Sequence, residues 1–357
     1  MPSHAARLSY LLEGGLDPHE ASCTGRSLLA EACFAGDPVA VKLLLERGVS
    51  HEPVACWLDE GNDFFTEPNR PPTPRPEGTF YRDQIPLFGA VESGSLECVQ
   101  LLLAKNARLD YTDDYDYDLL DVALTQEDHD RGTSRKPSPS YVTIAKLLLT
   151  AGVPLDRINT SGHSRLYWIV FCQQEYGVRF LLEQGASRAE DDRGCTPLYA
   201  ICWHAETPPI AAITVQEPII RMLAAAGVPL ETPKSSSLHT AIYGDIPNPN
   251  TVRLLLELGA NPNPEKHGGD GTGPLHWAVG EHSVESVRLL LQYGADPVHP
   301  SRTGETPLAR AQRVLQKQEE WAREDPEWQW VADQAKTVLA LLEAAVAGIE
   351  QNGNGRR

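Results

Sequence analysis

Basic charge is what this chain has least of: 31 lysines and arginines stand against 49 aspartates and glutamates, a formal net charge of −18 over 357 residues. Phosphate binding needs a basic face, so nucleic acid is not an expected partner. An anionic membrane surface is disfavoured for the same reason. Long apolar runs are missing as well. The N-terminus, Met1-Pro2-Ser3-His4-Ala5-Ala6-Arg7, has no apolar stretch long enough for a signal peptide or a membrane span. That points to a cytoplasmic protein, with the nucleus as the alternative compartment. Paired cysteines are absent: the seven cysteines are irregularly spaced, and none forms a C-x-x-C. Cys33, Cys98, Cys172 and Cys202 lie in apolar helical patterns and read as small buried hydrophobes in a reducing compartment. Cys195, Cys202 and His204 come nearest to a metal cluster but lack zinc-site spacing, so no metal is expected. No G-x-S-x-G, H-E-x-x-H or P-loop occurs, and neither a catalytic constellation nor a cofactor is expected.

What the chain has is self-similarity. From Ser27, Leu29, Ala32-Cys33, Gly36, Val41, Leu44-Leu45 and Gly48 follow in order. From Gly273, Pro274-Leu275-His276, Ala278-Val279, Val287, Leu290-Leu291 and Gly294-Ala295 fall at the same offsets. Further copies start at Ile85, Asp118, Ser164, Thr196, Ser236 and Thr306, and an incomplete copy spans Leu8 to Leu16. Start-to-start distances are 58, 33, 46, 32, 40, 37 and 33, so the longer ones need insertions. Ser or Thr at the first position can cap a helix, and Pro next to it is pre-set for the first helical turn. Val and the Leu-Leu pair then mark the buried stripe of a second helix. Each second helix ends where a left-handed cap is cheap: Gly48, Gly152, Gly185, Gly227, Gly259 or Gly294, with Asn106 as the substitute in the second full copy.

These residues resemble the ankyrin repeat, whose signature is T-P-L-H-x-A followed by V-x-x-L-L-x-x-G-A. The resemblance implies an all-α solenoid of stacked helix-turn-helix units with projecting hairpin loops, here eight repeats plus an N-terminal half. It also implies structural roles for His239 and His276, which occupy the T-P-L-H position and would tie neighbouring repeats. One copy departs from the pattern: Ile169-Val170 replace the usual Ala-Ala. The glycine between the two helices survives only as Gly36 and Gly94, which predicts rebuilt turns in later repeats.

One solenoid is expected over residues 1–348, with insertions at 57–80, 126–138, 204–214 and 313–332 and a disordered polar tail at 349–357. The first insertion is rich in proline, which excludes regular helix. Residues 313–326 read as a solvated helix continuing past the last repeat, and Trp321, Trp328 and Trp330 as the seal of the open end of the stack. Asp114-Tyr115-Asp116-Tyr117-Asp118 opens like a calcium loop, but Leu119 stands at the glycine position, so it reads as an acidic hairpin tip.

Ankyrin proteins usually bind partners through hairpin tips and the exposed, concave face of the first helices. Projected onto those positions, this chain offers Trp168, Phe171, Trp203, Tyr243 and Trp277 on first helices. At the tips it offers Tyr81, Arg82, Asp114, Tyr115, Tyr117, His163 and Arg193. Aromatic anchors with a polar rim match the anatomy of binding hot spots. The expectation is therefore a monomeric, non-enzymatic protein-binding module, an adaptor, scaffold or inhibitor, for a partner with a basic or apolar surface. Binding or catalysis of a small apolar molecule in the groove, with His163, His204 and Asp192 nearby, is the alternative.

Overall fold

A computed structural model describes residues 4–19, 26–53, 82–113, 116–125, 139–191, 194–203, 209–232, 236–243, 248–264 and 272–354. Among them the chain is helical, and its one β-type pairing is an isolated bridge between Glu231 and Ser236. Contacts divide the chain into two compact units, Met1–Thr160 and Ser161–Arg357. The first holds α1 (His4–Glu13), α2 (Leu28–Phe34), α3 (Pro38–Glu46), α4 (Pro86–Glu92), α5 (Leu96–Leu103), α6 (Leu119–Thr125) and α7 (Pro139–Ala151). The second holds α8 (Arg165–Phe171), α9 (Glu175–Gln184), α10 (Pro197–Trp203), α11 (Pro209–Ala225) and α12 (Ser237–Tyr243). It continues with α13 (Pro249–Glu257), α14 (Pro274–Gly280), α15 (Val284–Gln292), α16 (Pro307–Glu324) and α17 (Gln329–Asn354).

Each residue that starts a repeat in the sequence stands directly before a helix. The side-chain oxygens of Ser27, Ser164, Thr196, Ser236 and Thr306 accept from the backbone N–H three residues on, at 3.1 to 3.2 Å. Asp118 does the same with Leu120 and Asp121. Gly273 has no side chain, so His276 caps in its place: the N–H of Gly273 donates to Nδ1. First helices pack against first helices and second against second within each unit: α2, α4 and α6, and separately α1, α3, α5 and α7, in the first. In the second unit the rows are α8, α10, α12, α14 and α16, and α9, α11, α13, α15 and α17. The core lies between the rows, where Leu29, Leu44, Leu148, Ile169, Val170, Leu255 and Leu290 are sealed from solvent. The half repeat supplies a second helix, α1, packed on α3. Cys33, Cys98 and Cys202 are buried thiols, and burial pushes Cys202 up to about 12.

Second helices close on left-handed residues. Gly185, at φ 84°, lets Ala186 donate back to Leu181, and Asn106 takes the same conformation at φ 60°. Two of the later turns between helices, α8–α9 and α14–α15, correct the expectation of rebuilding, while α6–α7, α10–α11 and α12–α13 are joined by longer connections. Gln173 (φ 55°) and His282 (φ 56°) take the left-handed conformation that Gly36 and Gly94 take elsewhere. The chain then closes the same bond in all four repeats, from Asp37, Ser95, Gln174 and Ser283 back to Ala32, Ala90, Ile169 and Ala278. The geometry is kept at the cost of strain in two L-residues.

The ends also differ from expectation. Residues 209–214 are helical and open α11, whose 17 residues exceed the 10 of α9 and the 9 of α13. Residues 57–80, 126–138 and 204–208 lie outside the described residues. The helix predicted beyond the last repeat is present as the 18-residue α16. The stack's end is not closed by tryptophans: Trp321 and Trp328 pack edge-on at 5.5 Å, but Trp328 is 44% and Trp330 67% exposed. Val331, Ala332, Ala335, Val338 and Leu342 of α17 form the buried stripe instead, and Trp330 lies off that stripe. Residues 349–354 continue α17 rather than forming a disordered tail.

Two histidines tie the second unit together in defined neutral tautomers. A backbone or amide N–H can only donate, so Nδ1 of His276 accepts from Gly273 and its Nε2–H donates to the carbonyl of Glu305 in the next hairpin, at 3.0 Å. By the same logic Nε2 of His282 accepts from the buried Gln318 amide at 3.0 Å, and its Nδ1–H faces the carbonyl of Val279. Burial holds both imidazoles below their ordinary value of 6.5.

Two outcomes are expected. Gln173→Gly relieves the left-handed strain and raises the unfolding free energy by about 1 kcal/mol in a denaturant titration. Below about pH 6.5 the unfolded state binds more protons than the folded state at these histidines, so stability is complete above that value and falls as pH drops. The midpoint of thermal unfolding should therefore fall between about pH 7 and pH 5, and His282→Gln should remove part of that fall.

Candidate functional site

The exposed side of the first helices carries its chemistry in two columns. Trp168, Trp277 and Arg310 lie four residues after their cap residues, and Phe171, Trp203, Tyr243 and Gly280 lie seven after theirs. That spacing puts both columns on one helix face. Trp168 and Phe171 accordingly stack within α8, with ring centroids 5.3 Å apart. Between neighbouring repeats the register is diagonal, so the later column of one repeat meets the earlier column of the next. Tyr243 of α12 stands edge-on to Trp277 of α14, at 4.8 Å and 83°. In the next pair Gly280 leaves its place open. A Cβ there would meet Arg310 Nη2 at 3.4 Å, and the guanidinium lies 5.8 Å from the centre of the Trp277 ring. The His239 ring adds a third side, 4.7 Å from Trp277. Four side chains from α12, α14 and α16 thus converge on one patch, in which Tyr243 is 48% exposed.

A second group surrounds a cleft of about 410 Å³ lined by Ser161, His163, Tyr167, Trp168, Phe171, Cys195 and Tyr199. His163 lies flat on Tyr167, with centroids 4.1 Å apart, and its Nδ1 meets Asp191 Oδ2 at 2.5 Å. The Asp191 carboxylate is fully buried, and its other oxygen accepts from the N–H of Cys195. These contacts join two successive hairpins and fix the imidazole plane at the cleft edge. Burial raises the Tyr199 phenol, so that group stays protonated and serves as a neutral donor. The cleft offers ring faces to an apolar group and a few polar atoms to orient it.

The structure brings Trp168 to Phe171 and Tyr243 to Trp277. Trp203 belongs to α10, which packs against α8 and α12, and its side chain lies outside the described residues. Tyr81, Asp114, Tyr115, Asp192, Arg193 and His204 also lie outside them. Tyr117 is only 8% exposed, because the Asp113 carboxylate captures its N–H at 2.8 Å and folds the hairpin over it. Arg82 pairs with Glu92 at 3.2 Å and faces the buried Asp113 at 3.9 Å. The described acids of the hairpin are engaged internally. Asp116 and Asp121 both pair with Arg157, and Asp118 and Asp121 accept N–H groups at the start of α6. Sequence reasoning missed Tyr167, Tyr199, His239 and Arg310 as site members. The signal was available: Tyr167 and Tyr199 share the column of His239 and His276, and Arg310 shares that of Trp168 and Trp277.

Among the described residues no helix is long and apolar enough to cross a membrane, and no group of three or more His, Cys, Asp or Glu side chains could hold a metal ion. The family model for ankyrin repeats (three copies) matches residues 238–320. An ankyrin repeat and LEM domain-containing protein 1 homolog of Caenorhabditis elegans is 39% identical over 75 residues, covering 21% of this chain and 10% of the relative. A protein of Treponema pallidum (strain Nichols) described as ankyrin repeat-containing is 30% identical over 129 residues, covering 36% and 40%. The chain thus spans well under two thirds of either relative. The crystal structure of the Bcl-3 ankyrin repeat domain superposes with a TM-score of 0.49 at 22% identity, covering 63% of this chain and 92% of that one. Ankyrin repeats generally mediate protein–protein interaction, and the family is generally non-catalytic. The cap residues, paired helices and left-handed closures described above recur through both units, and over residues 238–320 the chain matches the ankyrin repeat family.

Proposed function

We propose that this chain is a non-enzymatic interaction module that holds a protein partner on the first-helix face of the unit Ser161–Arg357, with Tyr243 and Trp277 as its anchors. One observation carries the reading: Tyr243 is 48% exposed yet stands edge-on to Trp277 across a repeat boundary, where core packing does not require it. Exposed aromatic pairs of this kind are the usual centres of binding hot spots. The partner surface that suits them is apolar. A basic partner draws less support from the hairpin acids, since those described are matched by Arg82 and Arg157. A net charge of −18 still favours a basic partner at long range, in a salt-dependent way. As a scaffold, adaptor or inhibitor the chain would act as a monomer, its eight repeats presenting a surface rather than a reaction centre.

A second reading rests on the cleft beside Trp168 and Phe171. Its volume of about 410 Å³ and its ring faces suit a small apolar molecule. The hairpin bonds of His163 and Asp191 favour a fixed wall there over a catalytic base.

Affinity capture with mass spectrometry separates the two readings. The full chain is compared with a Tyr243→Ala/Trp277→Ala double variant shown by its thermal transition to remain folded. A protein recovered with the wild type and reduced about tenfold or more with the variant is the expected result. Equal recovery from both would move the site elsewhere. Capture of no protein by either chain would leave the cleft reading as the one to pursue.

A further inference from the structure

The patch around Trp277 contains a cation that the fold leaves unpaired. Arg313, on the same helix, binds Glu305 through two nitrogens at 2.8 and 3.3 Å. Arg179, Arg221, Arg253 and Arg288 of the same unit also have carboxylate partners. Arg310 has no ion pair or hydrogen bond among the described residues. The nearest acid on its own hairpin, Glu305, is committed to Arg313. Glu305 also gives its carbonyl to His276, which fixes its backbone and keeps it there. Gly280 gives Arg310 the room to lie towards Trp277, so the guanidinium is held in place rather than wandering in solvent.

The donors nearby are also unsatisfied. Trp277 Nε1 and Arg310 Nε are both covered by neighbouring atoms, and neither has an acceptor. A covered donor without an acceptor is destabilising, because it has given up its water without gaining a partner. Two such donors on adjacent side chains, beside a ring that is 48% exposed, describe a place short of acceptors. Lys317, two turns along α16 on the same face, has its ammonium over Trp321 at 4.5 Å and likewise no ion pair among the described residues. In a chain with an excess of acid, this face has cations to spare.

The net charge of −18 opposes an anionic partner at a distance. At contact the balance reverses, because screening confines each charge to about 8 Å at physiological ionic strength. Glu305, the acid of its own hairpin, is neutralised by Arg313, so it does not compete with an incoming carboxylate for Arg310.

We propose that the Tyr243–Trp277–Arg310 patch docks an acidic segment of a protein partner, with Arg310 holding an Asp or Glu carboxylate and the two rings receiving an apolar or aromatic neighbour of that acid. This inference rests on the protein-binding reading above and names the partner's chemistry at its centre. A guanidinium grips a carboxylate in a planar fork, and an ammonium does not. The Trp277 N–H becomes a second donor to the same carboxylate once the covering side chains yield to the segment.

The test uses a display library of random linear segments panned against the full chain and against its Arg310→Gln, Arg310→Lys and Tyr243→Ala/Trp277→Ala variants. All must match the wild type in circular dichroism, with thermal midpoints close to it. The wild type should enrich segments in which Asp or Glu stands beside an aromatic or large apolar residue. Arg310→Gln should lose the acidic preference and bind the winning segment about tenfold or more weakly, and Arg310→Lys should recover only part of the loss. Apolar segments without an acidic preference would overturn the inference and leave the protein-binding reading standing, as would an acidic preference that survives Arg310→Gln. Enrichment of Lys and Arg would overturn it in favour of a basic partner. Binding of a short oligonucleotide with equal affinity and equal dependence on Arg310 would overturn it in favour of a general polyanion site. No enrichment on the wild type, or winners indifferent to the loss of both rings, would count against the protein-binding reading itself.

Discussion

Burial of each helix pair against its neighbours is the constraint on which the rest of this structure depends. From α2 to α14 the first helices are seven residues long. Isolated helices shorter than about 12–15 residues are marginal in water. A seven-residue helix therefore exists here because Leu29, Phe88, Leu120, Leu166, Leu198, Leu238 and Leu275 are removed from solvent by the rows on either side. Caps and left-handed closures set where each helix begins and ends, and packing supplies the free energy that makes it form. The same logic explains why Gln173 and His282 are held at positive φ. The inter-helix turn must keep its path for the rows to meet, and the strain of one residue is small beside the burial of a repeat.

Much of this was legible in the chain itself. The cap residues announce six of the eight first helices, because a hydroxyl or carboxylate followed by Pro-Leu or a similar pair has a local meaning that tertiary context does not override; Ile85 and Gly273 lack such a side chain. The second helices were readable from Leu-Leu pairs and closing glycines. The turns at Gln173 and His282 were not, because glycine is the only strong sequence signal for the left-handed region, and those two residues adopt it under pressure from packing. The end of the stack was misread for a related reason. Trp328 and Trp330 look like core residues by type, yet the alanines and valines of α17 carry the buried stripe, and a small-residue stripe gives a weak signal. For the site, the aromatic columns could be read from helical spacing, but their partners could not. That Arg310 leans into the space at Gly280 depends on which repeat positions face one another.

The charges follow a division of labour that composition alone conceals. Described acids in the hairpins of the first unit cap helices or pair with Arg82 and Arg157, so they maintain the fold. In the second unit, Glu305 aligns Arg313 and gives its carbonyl to His276, again a structural duty. Arg310 is left over from this arrangement. A protein with a large negative field can thus carry a local cation whose identity depends on contact geometry, where Coulomb attraction is strong, rather than on the distant field, which salt suppresses.

The diagonal meeting of Tyr243 with Trp277, and of Arg310 with the place of Gly280, has a consequence for how such a chain can change over generations. The pairs belong to seams between repeats, and no single repeat owns one. Duplicating or deleting a whole repeat would keep the stack intact, since every copy offers the same row of leucines to its neighbours. It would nevertheless cut each affected pair in two and bring unrelated side chains together across the new seam. The architecture can therefore grow or shrink by recombination while its recognition surface cannot be inherited piecemeal, and a specificity once assembled here is transmitted as an ordered run of repeats or not at all.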